Sequence, residues 1–169
     1  VDTNTALSGI GEPSLSYTPT SGTVPPGYQL VIDFDGNGSI DGILVGEPTY
    51  YGDDWWLSNG SAQFVKDNEP GAPGATGSEW HGTLDQWRAN FPDAVVKAFG
   101  FSLGSGVLGD GVINSITFDG TVYNFAVILN SKDDCKNGGW ATSTQPVFTN
   151  QGECVSSFAS KKKAASFSA

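Results

Sequence analysis

The clearest chemical pattern in the chain is the segment DFDGNGSIDG, which begins at residue 33. Side chains with oxygen atoms alternate there with other residues, as they do in loops that bind calcium. A glycine stands sixth, where such a loop has to turn sharply. We therefore predict that the loop binds a structural Ca²⁺ ion through Asp33, Asp35, Asn37, Ser39 and Asp41.

The twelfth position of this loop departs from the calcium-binding pattern. It holds Leu44, whereas an acidic residue usually completes the shell there with two oxygen atoms. A ligand from elsewhere in the chain has to replace it, and Glu47, Asp53 and Asp54 are the candidates. The alternative interpretation is an acidic hairpin with an Asn-Gly turn and no bound ion.

Two catalytic motifs overlap between residues 100 and 109. Gly100-Phe-Ser102-Leu-Gly104 fits the nucleophile elbow of esterases, and the segment GSGVLG from Gly104 fits the fingerprint of dinucleotide-binding enzymes. Both motifs need a helix directly afterwards, but the turn-rich segment LGSGVLGDG follows Ser102. The one histidine, His81, also precedes that serine, against the chain order of an esterase triad. We therefore predict a strand that ends in a glycine turn, and no catalytic residue.

Aromatic residues are concentrated between positions 50 and 56. Aromatic rings stack on the apolar faces of pyranoses, so Tyr51, Trp55 and Trp56 are candidate ligand-binding residues. Adjacent residues of a strand point to opposite faces, and at most one of the two tryptophans is expected in the core. The alternative for the whole group is packing in the core.

The elements that must position these residues are mainly strands. The chain of 169 residues has 23 glycines, 12% aromatic and 15% charged residues, a composition typical of strands joined by tight turns. Strands are predicted at 28–34, 40–45, 62–65 and 94–103. Asp119-Gly120 predicts a hairpin that sets Ile116 opposite Tyr123.

Two short helices complete the predicted fold. Thr83 and Gln86 have the spacing of a capping box, and Pro92 ends the helix that follows. Asn150 and Glu153 predict the start of a second helix near the end of the chain. We expect one domain at 28–169, preceded by an extended lead-in at 1–27 that contains an edge strand at 15–17.

Cys135 and Cys154 enclose a short polar segment and are predicted to form a disulfide bond that closes the C-terminal segment. Two buried free thiols are the alternative. A disulfide bond is expected in an exported protein. The chain begins at Val1, as expected if an export signal has been removed, although an expressed fragment would look the same.

The net charge of −10 limits the class of partner. An acidic surface repels phosphate backbones and anionic lipids, so we expect neither nucleic-acid binding nor membrane insertion. The same surface suits cations, neutral sugars or basic partners. Adjacent acids such as Asp53 and Asp54, or Asp133 and Asp134, could serve glycoside hydrolysis, but such pairs are usually solvated loops.

Two resemblances support this prediction. The loop from Asp33 resembles the calcium loops of dockerins, thrombospondin type 3 repeats and integrin-like propeller blades. Across 25–158, the segments PPGYQLVIDFDGNGSIDGILVGEP, WWLSNGSAQFV, GTLDQWRANFPDAVVKAFGFSLGSGVLGDGVINSITFDGTVYNF and CKNGGWATSTQPVFTNQGECV resemble secreted, surface-associated bacterial proteins, particularly actinobacterial ones. This second resemblance implies export and a jelly-roll-like antiparallel β-sandwich comparable to carbohydrate-binding modules, and it transfers no activity.

These observations predict a non-catalytic extracellular module for binding or adhesion, stabilised by calcium, whose partner is a glycan or another cell-surface molecule. The first alternative is a structural subunit of an extracellular filament or surface layer, which binds copies of itself. In that case residues 1–20 would add an edge strand to a neighbouring copy. The second alternative is a glycoside hydrolase.

Overall fold

The computed structural model describes residues 1–22, 24–70, 81–104 and 108–165 of the chain, with side chains up to residue 159. Two antiparallel sheets and a few short helices make up this part, which confirms a mainly β fold. The strands are Asp2–Ala6 (β1), Ser14–Ser21 (β2), Gly27–Asp33 (β3), Gly42–Gly46 (β4), Asp54–Leu57 (β5), His81–Thr83 (β6), Val95–Ser102 (β7), Asp110–Phe118 (β8) and Thr121–Asn124 (β9). The helices are Pro48–Tyr51 (α1), Gln63–Lys66 (α2), Leu84–Asn90 (α3) and Gln151–Ala165 (α4), and Leu7–Gly9 and Gly139–Thr142 form 3-10 turns.

The larger sheet has six strands in the order β1-β7-β3-β4-β5-β6, and the smaller has three in the order β2-β8-β9. Alternation along the strands decides which side chains enter the core. Tyr28, Leu30 and Ile32 are buried on one face of β3, and Trp55 and Leu57 are buried on one face of β5. The opposite face of the larger sheet is only partly covered.

One hydrophobic core joins the two sheets. Phe99 of β7 and Phe118 of β8 stack with ring centroids 4.2 Å apart and planes inclined by 7°. Tyr123 of β9 packs edge-on against Phe99 at 5.0 Å. Ile116 of the smaller sheet and Leu30 of the larger sheet belong to the same buried cluster. The side chains of both sheets therefore exclude water together.

Several local predictions are confirmed. Ile116 pairs with Tyr123 across the turn, where Asp119 and Gly120 adopt positive φ angles of 48° and 69°. Thr83 caps α3, because its hydroxyl accepts the N–H of Gln86 while the Gln86 side chain accepts the N–H of Thr83. The strands predicted around the acidic loop and at 94–103 correspond to β3, β4 and β7, with shifts of one or two residues at their ends.

The strand predicted at 62–65 is wrong, because the short helix α2 occupies this segment. The N–H of Ala62 donates to the carbonyl of Asp41 instead of extending a sheet. Of the four residues of α2, Val65 alone is buried. One buried contact per turn is what a helix provides, whereas a strand would bury every second residue.

Residues 1–27 are not a separate lead-in. β1 pairs with β7, and β2, which contains the predicted edge strand, pairs with β8. Both are edge strands, and the register shifts once in β1 and twice in β2, the second time beside Pro19. The contacts divide the chain into units Val1–Asn124 and Phe125–Ala169, so the boundary lies far from residue 27.

The second unit is built around the disulfide bond between Cys135 and Cys154, which confirms the predicted pairing. Both cysteines are buried with Phe148, and Leu129 and Trp140 pack against them. Asn150 caps α4 by accepting the N–H of Glu153 at 2.9 Å, also as predicted. The disulfide bond indicates a non-cytoplasmic protein. Within the described ranges, every helix falls short of the length and hydropathy that a membrane span requires.

We expect Phe99→Ala to lower the free energy of unfolding by about 3–5 kcal/mol, because it removes a ring that both sheets contact. Urea denaturation followed by circular dichroism measures this change. Phe64→Ala is the matched control, because the Phe64 side chain of α2 is 38% exposed, and it should cost less than about 1 kcal/mol. Equal losses for the two variants would contradict a core shared by the sheets.

Candidate metal loop and aromatic groove

The acidic loop connects β3 to β4 and brings together part of the predicted ligand set. Asp33, Asp35 and Asp41 each direct a carboxylate oxygen to a position within 4.8 Å of the other two. The main chain reverses at Gly36 and Gly38, whose φ angles of 72° and 98° favour glycine. The glycines of the sequence pattern therefore stand where the loop needs them.

Asp33 organises the loop from its base. Its carboxylate is 1% exposed and accepts the N–H groups of Asn37 at 3.1 Å and Gly38 at 2.8 Å. The Asp41 carboxylate accepts the N–H of Phe34 at 2.7 Å. Bonds of this kind are typical of tight turns rich in Asp and Asn, and they hold the carboxylates in place.

The other two predicted ligands, Asn37 and Ser39, lie in the exposed part of the loop. The Asn37 amide donates to Asp35 at 2.9 Å, and its oxygen accepts the N–H of Ser39 at 2.8 Å. Leu44, at the twelfth position, is buried in the core and offers no oxygen from its side chain. Among the described residues, the three aspartates are the acidic groups that lie together here.

The acids proposed to complete the shell are engaged or placed elsewhere. Glu47 follows β4 at the end away from the loop and accepts the indole N–H of Trp56. Asp54 lies 2.9 Å from the Nδ1 atom of His81. Asp53 is exposed after α1. Oxygen donors fit Ca²⁺, and in the described part of the chain no Lys or Arg forms an ion pair with the three loop aspartates.

An aromatic groove of about 460 Å³ lies on the face of the larger sheet that points away from the core. Its floor consists of side chains from β3, β4 and β5, and its wall is formed by α1 and by the residues after β7. The lining residues are Gln29, Ile43, Val45, Glu47, Tyr50, Tyr51, Trp56, Ser58, Ser102, Leu103 and Gly104.

Three rings contact one another in this groove. The centroids of Tyr51 and Trp56 are 6.3 Å apart with planes inclined by 36°, and Tyr50 packs edge-on against Tyr51 at 6.5 Å with planes inclined by 65°. Tyr50 is exposed, whereas Tyr51 and Trp56 are partly buried. Partly buried rings keep their orientation while leaving a face accessible to a ligand.

Polar groups fix the rings and border them. The Glu47 carboxylate accepts the N–H of the Trp56 indole at 2.9 Å, and the Gln29 amide donates to the Ser102 hydroxyl at 2.7 Å. Burial and, to a smaller extent, the charge of Glu47 raise the pKa of Tyr51 above its ordinary value. The Tyr51 hydroxyl therefore remains a hydrogen-bond donor into alkaline solution.

Trp55 is separated from the other two predicted ligand-binding residues. It points to the core face of β5, is 5% exposed, and makes an edge-to-face contact with Tyr28 at 5.8 Å. The reason is the alternation of side chains along β5, which places Trp56 in the groove and Trp55 on the opposite side. At most one of the two tryptophans was expected in the core, and Trp55 is the one that lies there.

The residues of the esterase motif are not assembled. Ser102 is the last residue of β7, and the next described strand begins at Asp110, with 105–107 outside the described residues. In the described ranges no hydrogen bond joins Ser102 to His81. His81 is buried beside Tyr51 and Asp54 instead.

The sequence did not predict three of the groove residues. These are Glu47, which accepts the indole N–H of Trp56, and the hydrogen-bonded pair Gln29 and Ser102. Gln29 carries a sequence signal, because it is a polar residue between the apolar neighbours of a predicted strand. Its pairing with Ser102 has no such signal, since 73 residues separate the two positions. The register between β3 and β7 brings them together.

We expect Asp33→Asn to lower the free energy of unfolding by about 1–3 kcal/mol in the presence of a chelator, because an amide cannot accept both backbone N–H groups. Chemical denaturation in EDTA measures this loss apart from any bound ion. Asp119→Asn is the control and should change stability by less than about 0.5 kcal/mol, because asparagine tolerates the positive φ angle at that turn. An Asp33→Asn variant that unfolds with the same free energy as the parent would show that the carboxylate does not organise the loop.

Comparison with known proteins gives no match for this chain: no family model, no curated protein and no solved structure. The resemblances to calcium loops and to secreted bacterial proteins therefore stay predictions. The function has to be argued from the acidic loop and the aromatic groove themselves.

Proposed function

We propose that this protein is a non-catalytic, exported module that binds carbohydrate in the aromatic groove. The observation that carries the proposal is the surface formed by Tyr50, Tyr51 and Trp56, bordered by the hydrogen-bonding groups of Glu47 and Gln29. A sugar ring has apolar C–H faces and a rim of hydroxyl groups. A groove with flat rings and polar groups beside them offers partners to both.

The arrangement of the rings favours a ligand with several sugar units. The centroids of Tyr50 and Tyr51 are 6.5 Å apart and those of Tyr51 and Trp56 are 6.3 Å apart, with planes inclined by 65° and 36°, so the flat face of one pyranose cannot stack on all three rings. We therefore propose an oligosaccharide segment as the ligand.

Charge favours a neutral glycan. Glu47 is the charged residue among those that line the groove in the described part of the chain, and neither lysine nor arginine lines it. The net charge of −10 adds repulsion against sulfated or carboxylated chains. Neutral chains avoid this cost and can donate hydroxyl protons to the Glu47 carboxylate.

The number of carboxylates that line the groove supports binding without hydrolysis there. Glycosidases generally use two carboxyl groups about 5–9.5 Å apart, on either side of the bond that is cleaved. Glu47 is one carboxylate, and its oxygen is bonded to the Trp56 indole. In the groove, binding is therefore better supported than glycoside hydrolysis.

The proposal includes a structural Ca²⁺ ion held by the acidic loop. A bound ion would neutralise Asp33, Asp35 and Asp41 and fix the turn between β3 and β4. These strands carry Gln29, Ile43 and Val45, which form the floor of the groove. The ion would thus stabilise the groove from the opposite end of the hairpin, without contacting the sugar. A jelly-roll-like arrangement of the two sheets and secretion belong to the same proposal.

The filament alternative loses its main support. It required residues 1–20 to pair with a neighbouring copy, but β1 and β2 already pair with β7 and β8 of their own chain. Removing those residues would take two strands out of the sheets. Loss of assembly after such a deletion would therefore not identify a filament subunit.

We expect Trp56→Ala and Tyr51→Ala each to weaken binding to a soluble neutral polysaccharide by about tenfold or more, because rings that stack on a ligand dominate the binding energy of such sites. Affinity electrophoresis in gels that contain β-glucan, xylan or mannan gives the dissociation constants. Trp56→Phe should retain part of the affinity, because it keeps a flat ring.

The control for these variants is Phe64→Ala, which changes an exposed ring outside the groove. It should bind like the parent protein, and heparin should bind to none of them. Retention by the neutral polysaccharides that does not depend on Trp56 and Tyr51 would contradict the groove as the sugar site. So would the absence of retention by all three polysaccharides.

We expect 1 mM Ca²⁺ to raise the melting temperature relative to EGTA, with a gain of about 2.7 kcal/mol when free Ca²⁺ exceeds its Kd a hundredfold. Differential scanning calorimetry measures the shift, with Mg²⁺ as the control ion. Asp35→Asn should abolish the shift and change stability in EGTA by no more than about 1 kcal/mol, because the relief of repulsion among three clustered carboxylates offsets the loss of one exposed hydrogen bond to Asn37. Identical melting in Ca²⁺ and EGTA would remove the ion from the proposal.

A further inference from the structure

A second cavity, of about 570 Å³, lies on the core side of the larger sheet, away from the aromatic groove. Strands from both sheets line it, since Leu15 and Tyr17 belong to β2, Tyr28 belongs to β3 and Trp55 belongs to β5. Its volume falls in the range of sites that enclose a small organic ligand. We call it the inter-sheet cavity.

The walls of the inter-sheet cavity are apolar and rigid. Tyr28 and Trp55 meet edge to face at 5.8 Å, and the Tyr28 hydroxyl donates to the carbonyl of Thr117 at 3.3 Å, which fixes the ring. Leu15 and Leu84 add aliphatic surface. Four prolines also line the cavity, namely Pro13, Pro25, Pro26 and Pro48. Proline rings lose little conformational freedom when a ligand packs on them.

The rim of the cavity is acidic. Glu12, Asp53, Asp54 and Asp85 line it, whereas neither lysine nor arginine does so among the described residues. Arg88, which does not line the cavity, forms ion pairs with Asp85 at 2.6 Å and with Glu12 at 3.3 Å. These ion pairs offset part of the negative charge of the rim.

The charge at Asp53 is not offset in this way. Asp54 lies 2.9 Å from His81, but Asp53 is exposed and forms no ion pair within the described part of the chain. Negative potential is therefore left beside an aromatic wall. Such a site attracts a cation through the carboxylate, while the wall offers apolar surface to the rest of the ligand.

From this combination we infer that the inter-sheet cavity binds an organic cation, that is, a protonated amine or quaternary ammonium group on an apolar body. The body packs against Tyr28, Trp55 and Leu15, and the charged group lies at the rim beside Asp53. An anion of the same shape is repelled, and a neutral molecule gains only the burial of its apolar part. The cavity and the proposed sugar groove both adjoin α1, but Trp55 lines the cavity and Trp56 lines the groove from opposite faces of β5.

Three probes with one body and different head groups test this inference: 4-phenylbutylamine, 4-phenylbutanol and 4-phenylbutyrate. Titrations at neutral pH, followed by two-dimensional NMR of the labelled protein, give the three dissociation constants. We expect the amine to bind about tenfold more tightly than the alcohol and the carboxylate to bind more weakly than both. Because exposed charges are screened by salt, the advantage of the amine should shrink in 1 M NaCl.

Variants locate the binding. Asp53→Asn should weaken the amine about three- to tenfold and leave the alcohol unchanged, whereas the control Asp119→Asn should change neither. Trp56→Ala, which disrupts the sugar groove, should leave the amine affinity unchanged, so this inference and the proposed function can fail separately. Intermolecular NOEs from the probe to the Trp55 ring and the Leu15 methyl groups are expected.

Three results would overturn the inference. The first is an alcohol that binds as tightly as the amine. The second is an amine affinity that does not respond to Asp53→Asn. The third is a set of NOEs to Trp56 and Tyr51 instead of Trp55, which would place the amine in the aromatic groove.

Discussion

The stacking of Phe99 on Phe118 is the contact on which the rest of the first unit depends. A six-stranded and a three-stranded sheet share few backbone contacts, so side chains have to hold them together. The stacked rings do so at the centre, and Tyr28 and Tyr123 extend the aromatic cluster to both sides. The buried side chains around this contact cover one face of the larger sheet, and the aromatic groove lies on the other face.

The adjacent tryptophans of β5 show how alternation distributes side chains between the two faces of a sheet. Trp55 enters the core side and forms part of the wall of the inter-sheet cavity, whereas Trp56 faces outward and lines the groove. A strand cannot turn both residues to one side without a break in its ladder. The acidic loop is placed by a similar constraint, since pairing of β3 with β4 sets Asp33 and Asp41 at one end of the hairpin and Glu47 at the other. The loop can therefore influence the groove through the strands but not by contact.

Short-range structure was predictable from the sequence, because its causes are local. The Asp119-Gly120 turn, the capping box of Thr83 and the cysteine pair each depend on a few residues of known preference. The strand predicted at 62–65 failed because a long-range bond from Ala62 to Asp41 and the burial of Val65 alone outweighed local preference. The spacing of Asp33, Asp35 and Asp41 is local in the same sense, and the structure brings their carboxylates together. The groove was only half predicted, because Gln29, Glu47 and Ser102 reach it through sheet register.

The irregular edges of the sheets have a consequence for solubility. An uninterrupted edge strand exposes a row of backbone donors and acceptors on which another chain can grow, and this is a common route to fibrils. In β1 and β2, shifts of register and the proline at position 19 break that row at several points. Proline also lacks the N–H that an incoming strand would bond to. These irregularities therefore disfavour the addition of a further strand at the borders formed by β1 and β2.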